Sequence, residues 1–146
     1  MTTVFDVARC MLEKRGPMSA MKLQKLCYYA QAWSLVWDAE PLFPERIEAW
    51  VNGPVIPDLY SAHRGSFKVS AEMMISGDST KLTAAQVETV DAVLKGYGDM
   101  TAQQLSDLTH SEDPWKSARQ GLAPNDRGSV EITTAALEEF YSSIPA

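Results

Sequence analysis

Apolar side chains recur at helical spacing over about 20–37, the densest apolar and aromatic stretch of the chain. Six of them share one stripe of a 3.6-residue helix: Leu23, Leu26, Cys27, Ala30, Trp33 and Trp37. Neither Gly nor Pro interrupts the stretch, and Ser19 stands before it as an N-cap. The pattern predicts a central helix about 27 Å long, whose striped face forms the core.

Capping signals followed by apolar periodicity predict further helices around this one. The residues that open them are Thr3, Pro57, Thr83, Thr101, Asp113 and Thr133. Thr3, Thr83 and Thr101 each have an acidic or amide residue three positions later, which is the spacing of a capping box. The first of these helices is predicted over 4–15, where Gly16 and Pro17 end it.

Between 46 and 75 the pattern changes from helical to alternating. Ile47, Ala49 and Val51 lie on one side of an extended segment 46–51, and 67–75 begins with the same alternation. We therefore predict a small two-stranded β ribbon of 46–51 with 67–75. The whole chain is expected to be mainly α: one compact domain over 1–146, a bundle of six to seven helices around the central one.

Composition and charge exclude several classes of protein. The 146 residues are 45% hydrophobic and 22% charged, which is typical of a globular domain. No apolar run has the length of a membrane span, and the N-terminus lacks the features of a signal peptide, so we expect a cytoplasmic protein with no membrane contact. The net charge of −6 argues against nucleic acid as the main partner. Residues 1–37 differ, with five basic and two acidic side chains, which would favour a charged protein partner.

Residues with catalytic or metal-binding chemistry are few and scattered. The two cysteines and two histidines have no metal-ligand spacing, and no phosphate-binding loop or nucleophile elbow is present. Glu48, beside Trp50, is a candidate general acid without an identifiable partner. We expect no metal, no cofactor and no enzyme, with a site at Glu48, His63 or His110 as the enzymatic alternative.

Five polar residues of the central helix lie off its core stripe and form the candidate partner surface: Lys22, Lys25, Tyr28, Tyr29 and Gln31. Tyrosine is favoured at protein interfaces, but its hydroxyl also finds partners inside a core. The pattern therefore leaves both roles open.

Four segments together have a specific pattern: KLQKLCYYAQAWSLVW, EPLF, IEAWVNGPVIPDLY and THSEDPW. They resemble the SocA-like antitoxin family, whose domain is called Panacea, and the resemblance extends over about 5–141. Asn52 and Ser34 depart from the family pattern, in which an aromatic residue and a histidine are common. The missing histidine removes one candidate functional side chain.

The resemblance implies an antitoxin that neutralises a cognate toxin, encoded by an adjacent gene, through direct protein–protein binding. Toxins paired with this family include relatives of alarmone synthetases that block translation by modifying tRNA, and we expect a toxin of that kind. The alternative implied by the family is a proteolytic adaptor that delivers a toxin to the ClpXP protease. Many members are phage-associated; the extra DNA-binding domain of some members is not expected here.

Most residues of the family motif are expected to be structural: Leu23, Gln24, Leu26, Trp33, Glu48, Trp50, Gly53, Pro54, His110, Pro114 and Trp115. Gly53 would give backbone freedom and Pro54 rigidity. The resemblance covers both faces of the central helix, so it does not separate packing from toxin contact. It also leaves open whether the chain forms a homo-oligomer.

Overall fold

The computed structural model describes residues 1–144, and within them the mainly α prediction is confirmed. Seven α-helices are formed: α1 (Val4–Arg15), α2 (Ala20–Trp37), α3 (Pro57–His63), α4 (Ala84–Tyr97), α5 (Ala102–Ser111), α6 (Asp113–Ala118) and α7 (Thr134–Ser142). Five short strands accompany them: β1 (Met18–Ser19), β2 (Ile47–Trp50), β3 (Gly53–Val55), β4 (Lys68–Val69) and β5 (Glu131–Ile132). None of the helices described is long and apolar enough to cross a membrane.

Helix α2 is the centre of the fold, as predicted. It packs against α1, α4, α5 and α7 and against strand β3, and Ser19 caps it by accepting the N–H of Lys22. Leu23, Leu26 and the rest of the helix as far as Leu35 are buried. Trp37 was predicted to be core but is 47% exposed, because it is the last residue of α2 and the residues that follow it are exposed. One face of its ring stacks on Trp33, with ring centroids 5.1 Å apart.

The capping signals located the helix starts well. The capping boxes at Thr3, Thr83 and Thr101 are formed in both halves, and the Thr133 hydroxyl accepts from the backbone of α7. Helix α6 differs slightly, because its N-cap is Glu112 rather than Asp113. These short-range hydrogen bonds depend only on local spacing, which explains why the sequence predicts them.

The predicted pairing of 46–51 with 67–75 is wrong. Strand β2 pairs antiparallel with β3, placing Ala49 opposite Pro54, and on its other edge with β5. Strand β4 pairs instead with β1, placing Met18 opposite Val69. The tight turn before Gly53, whose φ is 119°, folds the chain back at once, so one edge of β2 pairs with the residues that directly follow the turn.

Candidate functional site

The five polar residues expected to form a partner surface on α2 do not form an exposed face. Lys25, Tyr28, Tyr29 and Gln31 are buried, because neighbouring elements cover α2 on all sides. Lys22 is partly exposed, and its ammonium donates to the carbonyl of Gly98 at 2.7 Å. The polar groups of these side chains are therefore bonded within the chain.

The two tyrosines belong to a buried network that joins α2 to α7 and to the start of α6. The Tyr29 hydroxyl donates to Oε1 of Glu112 at 2.7 Å, and the Tyr141 hydroxyl donates to the same oxygen at 2.8 Å. Tyr28 and Tyr141 lie within hydrogen-bond distance of each other, at 3.0 Å. Burial raises the pKa of each of these tyrosines far above its ordinary range, so the hydroxyls stay protonated.

Two glutamines, two turns apart on α2, hold the chain that follows the helix. Oε1 of Gln24 accepts the N–H of Ile56 at 2.8 Å, and its Nε2 donates to the carbonyl of Ile56 at 3.3 Å and to Nε2 of His63 at 3.0 Å. Gln31 binds the N–H and carbonyl of Phe43 in the same way. Burial lowers the pKa of His63, which keeps Nε2 free to accept.

A groove of about 1070 Å³ opens beside these contacts, between the N-terminal end of α2, the β2–β3 hairpin, α3 and the loop that follows α3. Its lining includes three aromatic and three cationic side chains: Trp50, Tyr60, Phe67, Lys25, Arg64 and Arg127. No Asp or Glu of the described chain lines it. Phe67 is 85% exposed, whereas Trp50 and Tyr60 pack edge to face with centroids 5.3 Å apart. We call this surface the cationic groove.

Lys25 lies at the floor of the cationic groove and is only 1% exposed. Its Nζ donates to the carbonyl of Pro54 at 3.1 Å. A Cβ added to Gly53 would lie 2.6 Å from Cε of Lys25, so glycine is needed there both for its positive φ and for the lysine stem. Burial lowers the pKa of Lys25 to about 8.

A buried arginine positions the loop that carries Arg127. The guanidinium of Arg119 donates to the carbonyls of Ala49, at 3.1 Å, and of Asp126. It also lies 5.3 Å from the ring centroid of Trp115. These contacts fix one wall of the cationic groove against strand β2.

Further motif residues belong to strand β2 or contact it. Nε1 of Trp115 donates to the carbonyl of Trp50 at 2.7 Å, and the Trp50 indole donates to Glu48 at 2.9 Å. Pro114 is buried at the start of α6. The ring of His110 lies 4.1 Å from that of Trp115, and within residues 1–144 its buried Nε2 has no hydrogen-bond partner.

The enzymatic alternative required Glu48, His63 or His110 to converge on a pocket. Of these three, His63 lines the cationic groove, whereas Glu48 is paired with Arg46 at 3.0 Å and His110 packs against Trp115. In the described chain no group of His, Cys, Asp or Glu residues could hold a metal ion. Of the three candidate acid–base residues, His63 alone therefore lies at the groove.

The comparisons with known proteins agree with the sequence motifs. The family model described as "Antitoxin SocA-like, Panacea domain" matches residues 23–116. The chain belongs to the SocA-like antitoxin family. It is 31% identical to Antitoxin SocA of Caulobacter vibrioides (strain NA1000 / CB15N) over 150 aligned residues, which cover 92% of this chain and 80% of that protein. No solved structure matches the chain.

The matched part of the Panacea domain builds most of the cationic groove, from Gln24 and Lys25 through the hairpin to Phe67. Arg127 lies beyond the matched residues. The sequence interpretation missed the groove, because Phe67 was placed in a strand and Arg64 and Arg127 stand in no motif. An aromatic residue between polar neighbours, as Phe67 is between Ser66 and Lys68, is only a weak signal, because single apolar residues are common on protein surfaces.

Proposed function

We propose that this Panacea-domain protein is an antitoxin that binds its cognate toxin directly, through the cationic groove. Family membership supports the antitoxin role. The observation that supports the surface is the exposed Phe67 beside two arginines that form no salt bridge within residues 1–144. Aromatic and arginine side chains are the residue types that contribute most to protein–protein binding.

The occupant of the groove is a toxin segment that carries acidic and apolar side chains. The chain as a whole has a net charge of −6, yet the groove is lined by Lys25, Arg64 and Arg127 without an acidic residue. An acidic segment is complementary to that local charge. A long nucleic acid would instead meet the negative remainder of the surface.

The toxin is proposed to be a translation inhibitor of the alarmone-synthetase-like, tRNA-modifying kind, encoded by the adjacent gene. Binding rather than catalysis neutralises it, since only one of the three candidate acid–base residues, His63, lines the groove. The groove, with a volume of about 1070 Å³, has room for a peptide segment.

Co-expression with the adjacent gene tests the proposal. The neighbouring product alone should stop growth, this protein should restore it, and the two should co-purify as a complex. Growth that stays blocked, or rescue without a complex, would contradict direct neutralisation. The half-life of the toxin is measured in the same cells: a half-life shortened only when ClpXP and this protein are both present would identify a proteolytic adaptor instead.

A further inference from the structure

Lys25 is a buried cation to which the described chain offers no anion. Its Nζ makes one hydrogen bond, to the carbonyl of Pro54, and no carboxylate within residues 1–144 forms a salt bridge with it. An ammonium group has three N–H donors. Burying a charge without a counter-ion is strongly unfavourable. Within residues 1–144, the buried ammonium of Lys25 thus lacks a counter-ion.

Lys25 is only 1% exposed, yet its side chain is part of the lining of the cationic groove. The space beside its side chain depends on Gly53, where an added Cβ would lie 3.2 Å from Nζ. Arg64 and Arg127 line the same groove, so three cations border one volume without an acidic residue among the lining side chains. This arrangement would repel a cationic ligand and attract an anionic one.

We infer that Lys25 binds a carboxylate of the protein segment that occupies the cationic groove, an inference that rests on the proposed function. The carboxylate belongs to an Asp or Glu side chain flanked by apolar residues, which pack against the exposed ring of Phe67 and against Trp50. It accepts a charge-assisted hydrogen bond from Nζ and supplies the missing negative charge. The groove is too large for one small anion alone, which favours a protein segment as the source.

A pair of matched peptides tests the inference on the intact protein. Both are acetylated and amidated pentapeptides with a central residue between two leucines; the central residue is glutamate in one and glutamine in the other. Calorimetric titration should show that the glutamate peptide binds at least about tenfold more tightly, since only it offers a charged acceptor. Equal affinities, including no binding of either peptide, would overturn the inference.

The Lys25→Met variant tests whether Lys25 is the cation that distinguishes the glutamate peptide from the glutamine peptide. It should lose the preference for glutamate while keeping the weaker affinity for the glutamine peptide, because methionine keeps most of the stem but has no charge. A preference that persists in Lys25→Met would assign the carboxylate to another cation and overturn the inference. If this variant does not fold, the peptide pair on the unaltered protein still decides.

Two further measurements distinguish a protein segment from a small free anion, and failure of the Lys25 inference from failure of the proposed function. Inorganic phosphate that binds more tightly than the glutamate peptide, and only when Lys25 is present, would replace the protein segment by a small free anion. A toxin that binds through the groove while the peptides are not distinguished would leave the proposed function intact and overturn the role of Lys25. Discrimination by Lys25 without any complex with the toxin would overturn the proposed function alone.

Discussion

The hydroxyl of Tyr29 donates to Oε1 of Glu112 at 2.7 Å, and this bond ties the middle of α2 to the residue that precedes α6. Tyr141 of α7 shares the same oxygen. Burial raises the pKa of Glu112, whereas the two tyrosine hydrogen bonds lower it. One carboxylate thus joins three elements that are distant in sequence.

Removing either hydroxyl should destabilise the fold, and the effects of the two removals should not be additive. Tyr29→Phe and Tyr141→Phe each take one donor from a partly buried carboxylate, a loss of about 1–3 kcal/mol in the free energy of unfolding. Because both donors meet at one acceptor, we expect the double variant to be non-additive. Urea unfolding of the single and double variants measures this. A coupling energy below about 0.5 kcal/mol would show that the two hydrogen bonds to Glu112 contribute independently.

Gln24 should be a structural residue whose loss destabilises the chain. In Gln24→Met the N–H of Ile56, a fully buried residue, loses its partner, while its carbonyl still accepts from the N–H of Tyr60, so the change should cost about 1–3 kcal/mol. Gln120→Met is the matched control, because Gln120 is exposed and its change should stay within about 0.5 kcal/mol. The midpoint of thermal unfolding compares the two. Equal midpoints would contradict a stabilising role for the hydrogen bonds between Gln24 and Ile56.

Phe67 should matter for toxin binding and not for stability. It is 85% exposed, so Phe67→Ala should change the free energy of unfolding by less than about 0.5 kcal/mol. A central aromatic anchor lost from an interface costs about 2 kcal/mol, or roughly 30-fold in affinity for the toxin. Ile75→Ala is the control, since Ile75 is 89% exposed and does not line the groove. If Phe67→Ala and Ile75→Ala rescue growth equally well, the toxin binds a surface other than the cationic groove.

The arginines of the groove should determine the rate and salt dependence of toxin binding. Arg64→Glu with Arg127→Glu replaces two exposed positive charges by negative ones, which should slow association about tenfold at low salt and less at high salt. Lys116→Glu reverses an exposed charge outside the groove and should have little effect. Surface plasmon resonance at two salt concentrations measures both. An association rate that the double reversal leaves unchanged would contradict an acidic partner segment.

The helices could be predicted because their signals are local. The hydroxyl of Thr83 and the side chain of Gln86 satisfy each other within one turn, so spacing alone located the start of α4. The same holds for the central helix, whose lack of Gly and Pro marks its length. The pairing of the strands could not be predicted, since the pair of Met18 with Val69, for example, joins segments about fifty residues apart.

Most of the polar residues of α2 are buried, contrary to the expected exposed face, for a related physical reason. Periodicity assigns one face of a helix to the core and the rest to solvent, yet α2 is covered on all sides. Polar residues such as Gln31 and Tyr28 were therefore expected outside, although each is bonded within the fold. The groove lies instead where α3 and the hairpin meet, and only tertiary structure brings Arg64 and Arg127 together there.

Lys25 should lower stability at neutral pH, and the effect should diminish as pH rises. Its pKa falls from 10.5 to about 8 on folding, so between these values the unfolded chain holds more protons and the free energy of unfolding rises with pH. Below pH 8 the buried charge of Lys25 lowers the free energy of unfolding by its full amount, about 3 kcal/mol.

The Lys25→Met variant removes this loss of stability but leaves the carbonyl of Pro54 without its donor, which costs about 1 kcal/mol. The variant should therefore be about 2 kcal/mol more stable at pH 7, with a smaller difference at pH 9.5, as measured by urea unfolding at both pH values. A variant that is less stable at pH 7 would mean that Lys25 is held for the stability of the fold rather than for a ligand.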